Sequence, residues 1–275
     1  IILLIVLVGS IYLSPLAFAA VMTFAVAAAI WEWLRMLGVR AALPVAAVMG
    51  IVLYALWWVM GFRLRPQALL ALTAADAAVW FLLTVGLFRD RNTGFRLPVA
   101  AQGAMAVLML PLAWYSILWL FEIGSWQMVI SVLAIVWSAD ICAYFCGRFF
   151  GGKIFGDTKM APAISPKKTW EGALGAYILG LCVLFAIGIA CAGRADVFQS
   201  VLITETGFLT AVVVTLLLTL FSMAGDLLES AAKRQAGIKD SSNLLPGHGG
   251  WFDRLDSCVP VMPAVVLIIL LTTIS

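Results

Sequence analysis

Long apolar runs follow one another along almost the whole chain and leave little choice of fold. Nine of them can be placed, at residues 1–14, 17–34, 41–61, 67–88, 98–121, 125–146, 173–193, 206–224 and 258–275. A bilayer core of about 30 Å needs roughly 20 apolar residues in a helix, and these continuous runs lack the alternation of barrel strands. Because a helix satisfies its own backbone in hydrocarbon, the sequence predicts an all-α, polytopic transmembrane protein. About nine membrane helices would form one integral domain over residues 1–275.

The junction between the first two segments has two interpretations. The stretch from Leu16 to Ala20 has the small residues of a signal-peptidase site after an apolar run. Apolar sequence continues beyond it to Trp31, however, and Pro15 is well suited to begin a new helix. We therefore expect Pro15 to turn one membrane helix into the next.

Basic residues are distributed unevenly between the loops. With nine spans, the loops after segments two, four, six and eight share one side and carry 14 of the 17 lysines and arginines. These are Arg35, Arg40, Arg89, Arg91, Arg96, Arg148, Lys153, Lys159, Lys167, Lys168, Lys233, Arg234, Lys239 and Arg254. The positive-inside rule places this side in the cytoplasm of an inner-membrane protein. Its charge favours phosphorylated solutes and anionic lipid headgroups, whereas no soluble domain is predicted that could hold nucleic acid.

The first polar motif lies at the end of segment six. Asp140, Tyr144 and Arg148 are spaced four residues apart and would share one helical face. They could bind substrate, or a buried Asp140 could simply be satisfied by its two neighbours. Gly147 to Lys153 has the spacing of a phosphate-binding loop, but a membrane helix precedes it and no hydroxyl follows the lysine. Its glycines could still bring backbone N–H groups close to a phosphate.

The second motif combines a helix-start signal with two lysines. Ser165 suits an N-cap and Pro166 a first helical position, which puts Lys167 and Lys168 in the first turn. Cations are disfavoured there by the helix dipole unless an anion is bound nearby. The motif therefore predicts a phosphate site, and the alternative is that the lysines only set membrane topology.

The third motif concentrates charge between the last two apolar segments. Asp226, Glu229 and Lys233 would lie on one helical face. A glycine-rich loop with the chain's one histidine, His248, follows, and Asp253 comes after it, just before the last apolar segment. Oxygen ligands from two separate regions, Asp226 and Asp253, suit a hard cation such as Mg²⁺. A lattice of structural ion pairs is the alternative. A histidine between glycines has little core to pack into, which favours a role for His248 in the site.

The same region carries a resemblance to a known family. The matching residues are Ser230, Lys233, Arg234, Lys239, Asp240, Pro246, His248, Gly249, Gly250, Asp253, Arg254, Leu255 and Asp256. In this register they closely resemble the signature of the phosphatidate cytidylyltransferases. Residues 31–33, 140–151 and 165–172 are also similar to this family, so the resemblance spans most of the chain. Its signature-bearing C-terminal part is at about 125–275. Ala232 and Trp251 depart from the usual signature, both at packing positions.

The resemblance implies a reaction and a set of roles. CMP would pass from CTP to phosphatidic acid, giving CDP-diacylglycerol and pyrophosphate, with Mg²⁺ as cofactor and a second, monovalent ion left open. Asp226 and Asp253 are expected to be the main metal ligands, with Asp256 and Glu229 as alternatives. The groups expected to bind phosphates or to position substrate are Lys167, Lys168, Lys233, Arg234, Lys239, Arg254, Ser230, His248, Ser165, Asp140 and Arg148. A homodimer is implied by the resemblance alone.

Two other classes of function remain open. An ion-coupled transporter could use the acids Asp140, Asp226 and Glu229 as coupling sites, although transporters place such groups near the bilayer midplane rather than beside a basic loop. A related enzyme could instead use CTP with another lipid phosphate, or phosphorylate a polyprenol.

Overall fold

The computed structural model of the chain describes residues 2–58, 63–242, 244 and 249–274. Its helices are α1 (Ile2–Leu13), α2 (Pro15–Met36), α3 (Ala42–Trp58), α4 (Pro66–Arg89), α5 (Val99–Phe150), α6 (Trp170–Ala190), α7 (Phe198–Thr206), α8 (Phe208–Gln235), α9 (Phe252–Leu255) and α10 (Cys258–Ile274). Two short strands, β1 (Lys159–Ala161) and β2 (Ser165–Thr169), lie between α5 and α6. Each apolar segment falls mainly on one helix or on one half of α5, which confirms the helical membrane fold.

Six helical stretches of the described residues are long and apolar enough to cross a membrane: α2, α4, α5, α6, α8 and the run Phe252–Thr273. The helix α5 has 52 residues, and helical geometry is interrupted at Gly124 and Ser125. At 1.5 Å per residue it would be about 78 Å long if straight, more than twice the bilayer core. The helix α5 is therefore long enough to cross the membrane twice. The total of nine membrane helices remains a prediction.

Helix starts follow local sequence signals. Pro15 begins α2, and the Ser14 hydroxyl accepts a hydrogen bond from the backbone N–H of Ala17 at 3.1 Å. Pro66 likewise begins α4. A missing N–H costs nothing at a first helical position, so proline is tolerated there. The expected turn at Pro15 is confirmed.

The predicted helix start at Ser165 is wrong. Residues Ser165–Thr169 form the strand β2, which pairs antiparallel with β1, and α6 begins only at Trp170. Thr169 is the true N-cap, since its hydroxyl accepts from the Gly172 N–H at 3.1 Å. Pro166 fits a two-stranded ribbon because both strands are edge strands. Lys167 and Lys168 therefore lie in a strand, and the helix-dipole argument for a phosphate there does not apply.

Three of the loops that were predicted to lie on the same side of the membrane contact one another. Arg35 at the end of α2 donates to the backbone oxygen of Ser241 at 2.7 Å. Gln235 at the end of α8 exchanges hydrogen bonds with the backbone of Leu97, in the loop after α4. The helix α10 packs against α4, α5 and α8, which joins these elements in the interior. The loops after α2, α4 and α8 thus gather at one end of the protein, and the side of the membrane on which they lie remains a prediction.

Candidate active site

A polar cavity of about 360 Å³ lies where α5 and α8 meet the β-hairpin. Its lining is Asp140, Ala143, Tyr144, Gly147, Arg148, Met160, Lys167, Lys168, Thr169, Gly172, Ala173, Met223 and Asp226. Four residues predicted to bind substrate, on α5 and β2, therefore line the same cavity as the carboxylate of Asp226. This volume lies within the range of ordinary small-molecule sites.

The basic wall of the cavity is formed by the hairpin and the end of α5. The Lys168 ammonium lies 2.7 Å from Oδ2 of Asp226. Lys167 is exposed and lines the cavity. Arg148 donates to the hydroxyl of Tyr144 at 3.0 Å, whereas Asp140 faces the cavity. Three basic side chains beside one opening are a charge arrangement that attracts polyanions.

A cluster of carboxylates adjoins this cavity. Asp226 and Glu229 lie one turn apart on α8, and Asp256 lies at the junction of α9 and α10. One oxygen from each of the three side chains falls within 4.8 Å of the others. Gly225 permits this approach, because a Cβ at that position would collide with the backbone oxygen of Asp256.

The cluster has the donor set of a divalent-cation site. Oε1 of Glu229 is completely enclosed and has no hydrogen-bond partner within the described residues. Three carboxylates this close repel one another unless positive charge is shared between them. Oxygen-only ligands fit a hard ion such as Mg²⁺. The predicted ligands Asp226, Glu229 and Asp256 thus form one group that fits a metal ion.

Asp253 lies beside this group rather than within it. Its Oδ1 is 2.6 Å from Nζ of Lys233, and its Oδ2 accepts from the Gly250 N–H at 2.8 Å and from the Ser241 hydroxyl at 3.2 Å. Lys233 also contacts Oε2 of Glu229 at 2.8 Å. Asp253 is therefore linked to the cluster through this ammonium group and by direct contact with the Glu229 carboxylate. Its role as a metal ligand remains a prediction.

Glu32 is a site residue to which the sequence analysis assigned no role. It lies on α2, is fully buried, and accepts hydrogen bonds from the Ser241 hydroxyl at 3.1 Å and from the backbone N–H groups of Trp251 and Phe252 at 3.0 and 2.8 Å. The Ser242 hydroxyl donates to the same carboxylate. Glu32 thus joins both ends of the segment 241–252, which directly precedes Asp253. The sequence did signal this role, because an acid within an apolar helix is unusual.

A second overlooked acid explains the glycine-rich loop after α5. Oε1 of Glu171 accepts from the backbone N–H groups of Gly152, Ile154 and Phe155 at 3.0, 3.3 and 3.0 Å. The backbone N–H groups that the sequence analysis offered to a phosphate are thus bonded to another anion. That anion is a carboxylate of the protein itself, and it ties the end of α5 to the start of α6.

The other predicted residues that the structure describes do not line this cavity. The Ser230 hydroxyl is 3.4 Å from Oδ1 of Asp226, and Arg234 donates to the backbone oxygen of Ile164 at 3.4 Å. Ser165 lies at the start of β2, where it pairs with Ala161. Lys239 and Arg254 are exposed. His248 lies outside the described residues.

Sequence comparison shows to which family the chain belongs. The model of the cytidylyltransferase family matches residues 1–272. The chain belongs to the cytidylyltransferase family. The family inferred from the signature is therefore confirmed, and the interpretation as an ion-coupled transporter is set aside in favour of a nucleotidyltransferase.

Several curated members of the cytidylyltransferase family are similar to this chain. The phosphatidate cytidylyltransferase of Pseudomonas aeruginosa is 34% identical over 264 residues, which cover 93% of this chain and 89% of that protein. That of Haemophilus influenzae is 42% identical over 136 residues, covering 50% of this chain and 43% of that protein. That of Bacillus subtilis is 39% identical over 137 residues, covering 50% and 45%.

Proposed function

We propose that this chain transfers CMP from CTP to phosphatidic acid and so makes CDP-diacylglycerol for phospholipid biosynthesis. The observation that carries the proposal is the ion pair between Lys168 and Asp226, because it joins a basic cavity wall to a carboxylate cluster. A nucleoside triphosphate bound with a divalent cation needs both kinds of group side by side.

The reaction requires charge neutralisation from the protein more than it requires proton transfer. A phosphomonoester oxygen of phosphatidic acid attacks the α-phosphorus of CTP, and the bond from that phosphorus to the bridging oxygen breaks to release pyrophosphate. The second pKa of a phosphomonoester is about 6, so the nucleophile is largely ionised near neutrality and needs no strong base. Lys167, Lys168 and Arg148 would reduce the repulsion between the two anions and align them.

Asp226, Glu229 and Asp256 would hold the Mg²⁺ ion. When bound, such an ion neutralises phosphate charge and orients the triphosphate. Lys233 would keep Glu229 and Asp253 in place, and Asp253 is the alternative ligand that the family resemblance implies. Ser230 would orient Asp226 or the substrate. We also keep Ser165, Arg234, Lys239, His248 and Arg254 as proposed substrate contacts.

The location follows from where the substrates are found. CTP is water-soluble, while the acyl chains of phosphatidic acid stay in the bilayer, so a polar cavity near a membrane boundary can receive both. We place this boundary on the cytoplasmic face of the inner membrane, because the end that carries the cavity also carries the basic loops. A homodimer is proposed from the family resemblance alone.

Purified protein supplied with labelled CTP, Mg²⁺ and phosphatidic acid tests the proposal. The expected products are pyrophosphate and a lipid that carries the CMP label, in equal amounts. Transfer of a terminal phosphate to a polyprenol, or CMP transfer only to a different lipid phosphate, would assign the site to one of the related enzymes instead.

A further inference from the structure

A second and larger cavity lies away from the proposed active site. Its volume is about 600 Å³, with walls from α3 and α4 and a floor from the first half of α5. The lining includes Leu53, Trp57, Leu72, Val79 and Leu108. Leu72, Val79 and Leu108 remain 47%, 42% and 67% exposed, so the cavity opens sideways on the surface that faces lipid. Molecules can therefore enter it from the bilayer.

The lining of this cavity contains one carboxyl group. Asp76 on α4 is only 6% exposed, and its Oδ2 is enclosed without a hydrogen-bond partner among the residues that the structure describes. Nearly all of the other lining residues are apolar. An uncompensated polar group in such surroundings costs free energy, so its presence points to a ligand that supplies the missing hydrogen bond.

The depth of Asp76 limits what that ligand can be. The helix α4 runs from Pro66 to Arg89. At 1.5 Å per residue, Asp76 lies about 15 Å from the first residue and about 20 Å from the last, near the middle of a 30 Å bilayer core. A phospholipid headgroup is charged and belongs at the interface, whereas a hydroxyl is neutral and small enough to enter this depth.

We propose that the cavity binds a neutral lipid alcohol, whose hydroxyl bonds to Asp76 and whose hydrocarbon chain fills the apolar lining. A cavity of this size lies within the range of small-molecule sites. The lateral opening allows the lipid to enter from the membrane without passing through water. The site is separate from the proposed active site, since none of its lining residues lines the polar cavity.

The test uses the full chain in lipid nanodiscs and a hexadecanol probe with a diazirine in its chain. Light-induced labelling should map to peptides that line the cavity. Unlabelled hexadecanol should compete with the probe, and hexadecane should compete at least about tenfold less well, because it lacks the hydroxyl that one buried hydrogen bond requires. In Asp76→Leu the two competitors should become equal.

Two tryptophan variants provide a test that does not change Asp76. Ala75 and Ala74 are neighbouring exposed residues on α4, but only Ala75 lines the cavity. Ala75→Trp should reduce labelling of the cavity peptides at least about fivefold, and Ala74→Trp should leave it unchanged. Equal competition by alcohol and alkane in the unmodified protein would show a cleft filled by ordinary acyl chains and would overturn the proposal. So would equal labelling of the two tryptophan variants.

Discussion

Lys168 on β2 and Asp226 on α8 form an ion pair with 2.7 Å between Nζ and Oδ2. The two side chains keep 21% and 36% of their surface exposed, so the pair faces the polar cavity and can be reached by a substrate. A phosphate would compete for the ammonium, and a metal ion would compete for the carboxylate. The pair therefore lies where the proposed polyphosphate and its cation would meet.

Asp226→Asn should remove most of the CMP transfer. The amide keeps the shape of the side chain but cannot supply the negative charge that a divalent cation requires, so we expect turnover to fall at least roughly a hundredfold. The measurement is CDP-diacylglycerol formation from labelled CTP across a Mg²⁺ titration. Asp196→Asn is the control, because Asp196 pairs with Arg194 in the loop after α6. Near-normal activity of Asp226→Asn would remove Asp226 from the metal site.

Asp253→Asn separates two roles for this carboxylate. Asp253 contacts Lys233 and Glu229 but is not one of the three carboxylates that lie within 4.8 Å of one another, so we expect lower turnover with a Mg²⁺ half-saturation concentration within about twofold of normal. Asp256→Asn, measured in parallel, should shift that concentration upward. If Asp253→Asn shifts it as far as Asp256→Asn does, Asp253 is a metal ligand, as the sequence predicts.

Lys167→Ala should raise the KM for CTP several-fold with little change in turnover. Lys167 is exposed at the cavity, so its attraction for a polyphosphate acts partly through water and is screened by salt. The difference from the unmodified protein should therefore shrink as the salt concentration rises. Lys153→Ala is the matched control, since Lys153 is equally exposed but does not line the cavity. Identical KM values for both variants would leave Lys167 with a topological role.

Glu32→Gln should destabilise the protein by roughly 1.5–3 kcal/mol, the range for hydrogen bonds to a charged group. The donors of Ser241, Trp251 and Phe252 would then face an amide that can accept through only one of its atoms. Thermal unfolding in detergent measures the change. The control is Glu122→Gln, because Glu122 forms a more exposed ion pair with Arg63 that should contribute about 0–1 kcal/mol. Equal effects of the two substitutions would contradict a special role for Glu32.

Gly225→Ala should reduce CMP transfer roughly a hundredfold, because displacement of a catalytic group by about 1 Å can have an effect of this size. The added methyl group would meet the backbone oxygen of Asp256 and push that residue away from α8. Gly103→Ala is the control, since nothing lies within 4 Å of a Cβ at that helical position. Activity assays report the loss, and thermal unfolding distinguishes it from general misfolding. Full activity of Gly225→Ala would show that the close approach is unnecessary.

Local sequence was sufficient for the helical membrane framework. Apolar runs, the proline at the start of α2 and the spacing of Asp226 and Glu229 on α8 act through neighbours in the chain, so they can be interpreted without a structure. The family signature also predicted the family, which sequence comparison confirms. The same local rules failed at Ser165, where a cap-like serine and proline are part of a strand because β1 supplies a pairing partner.

Tertiary structure decided how the charged groups are combined. Glu32 and Ser241 are 209 residues apart, and their contact exists only because α2 packs beside the segment before α9. Asp256 lies close to Asp226 because Gly225 permits the close approach of the Asp256 backbone. Asp253, in contrast, forms an ion pair with Lys233. Sequence spacing sets which side chains share a helical face. The packing of separate helices sets which faces meet, because it depends on shapes and volumes contributed by distant parts of the chain.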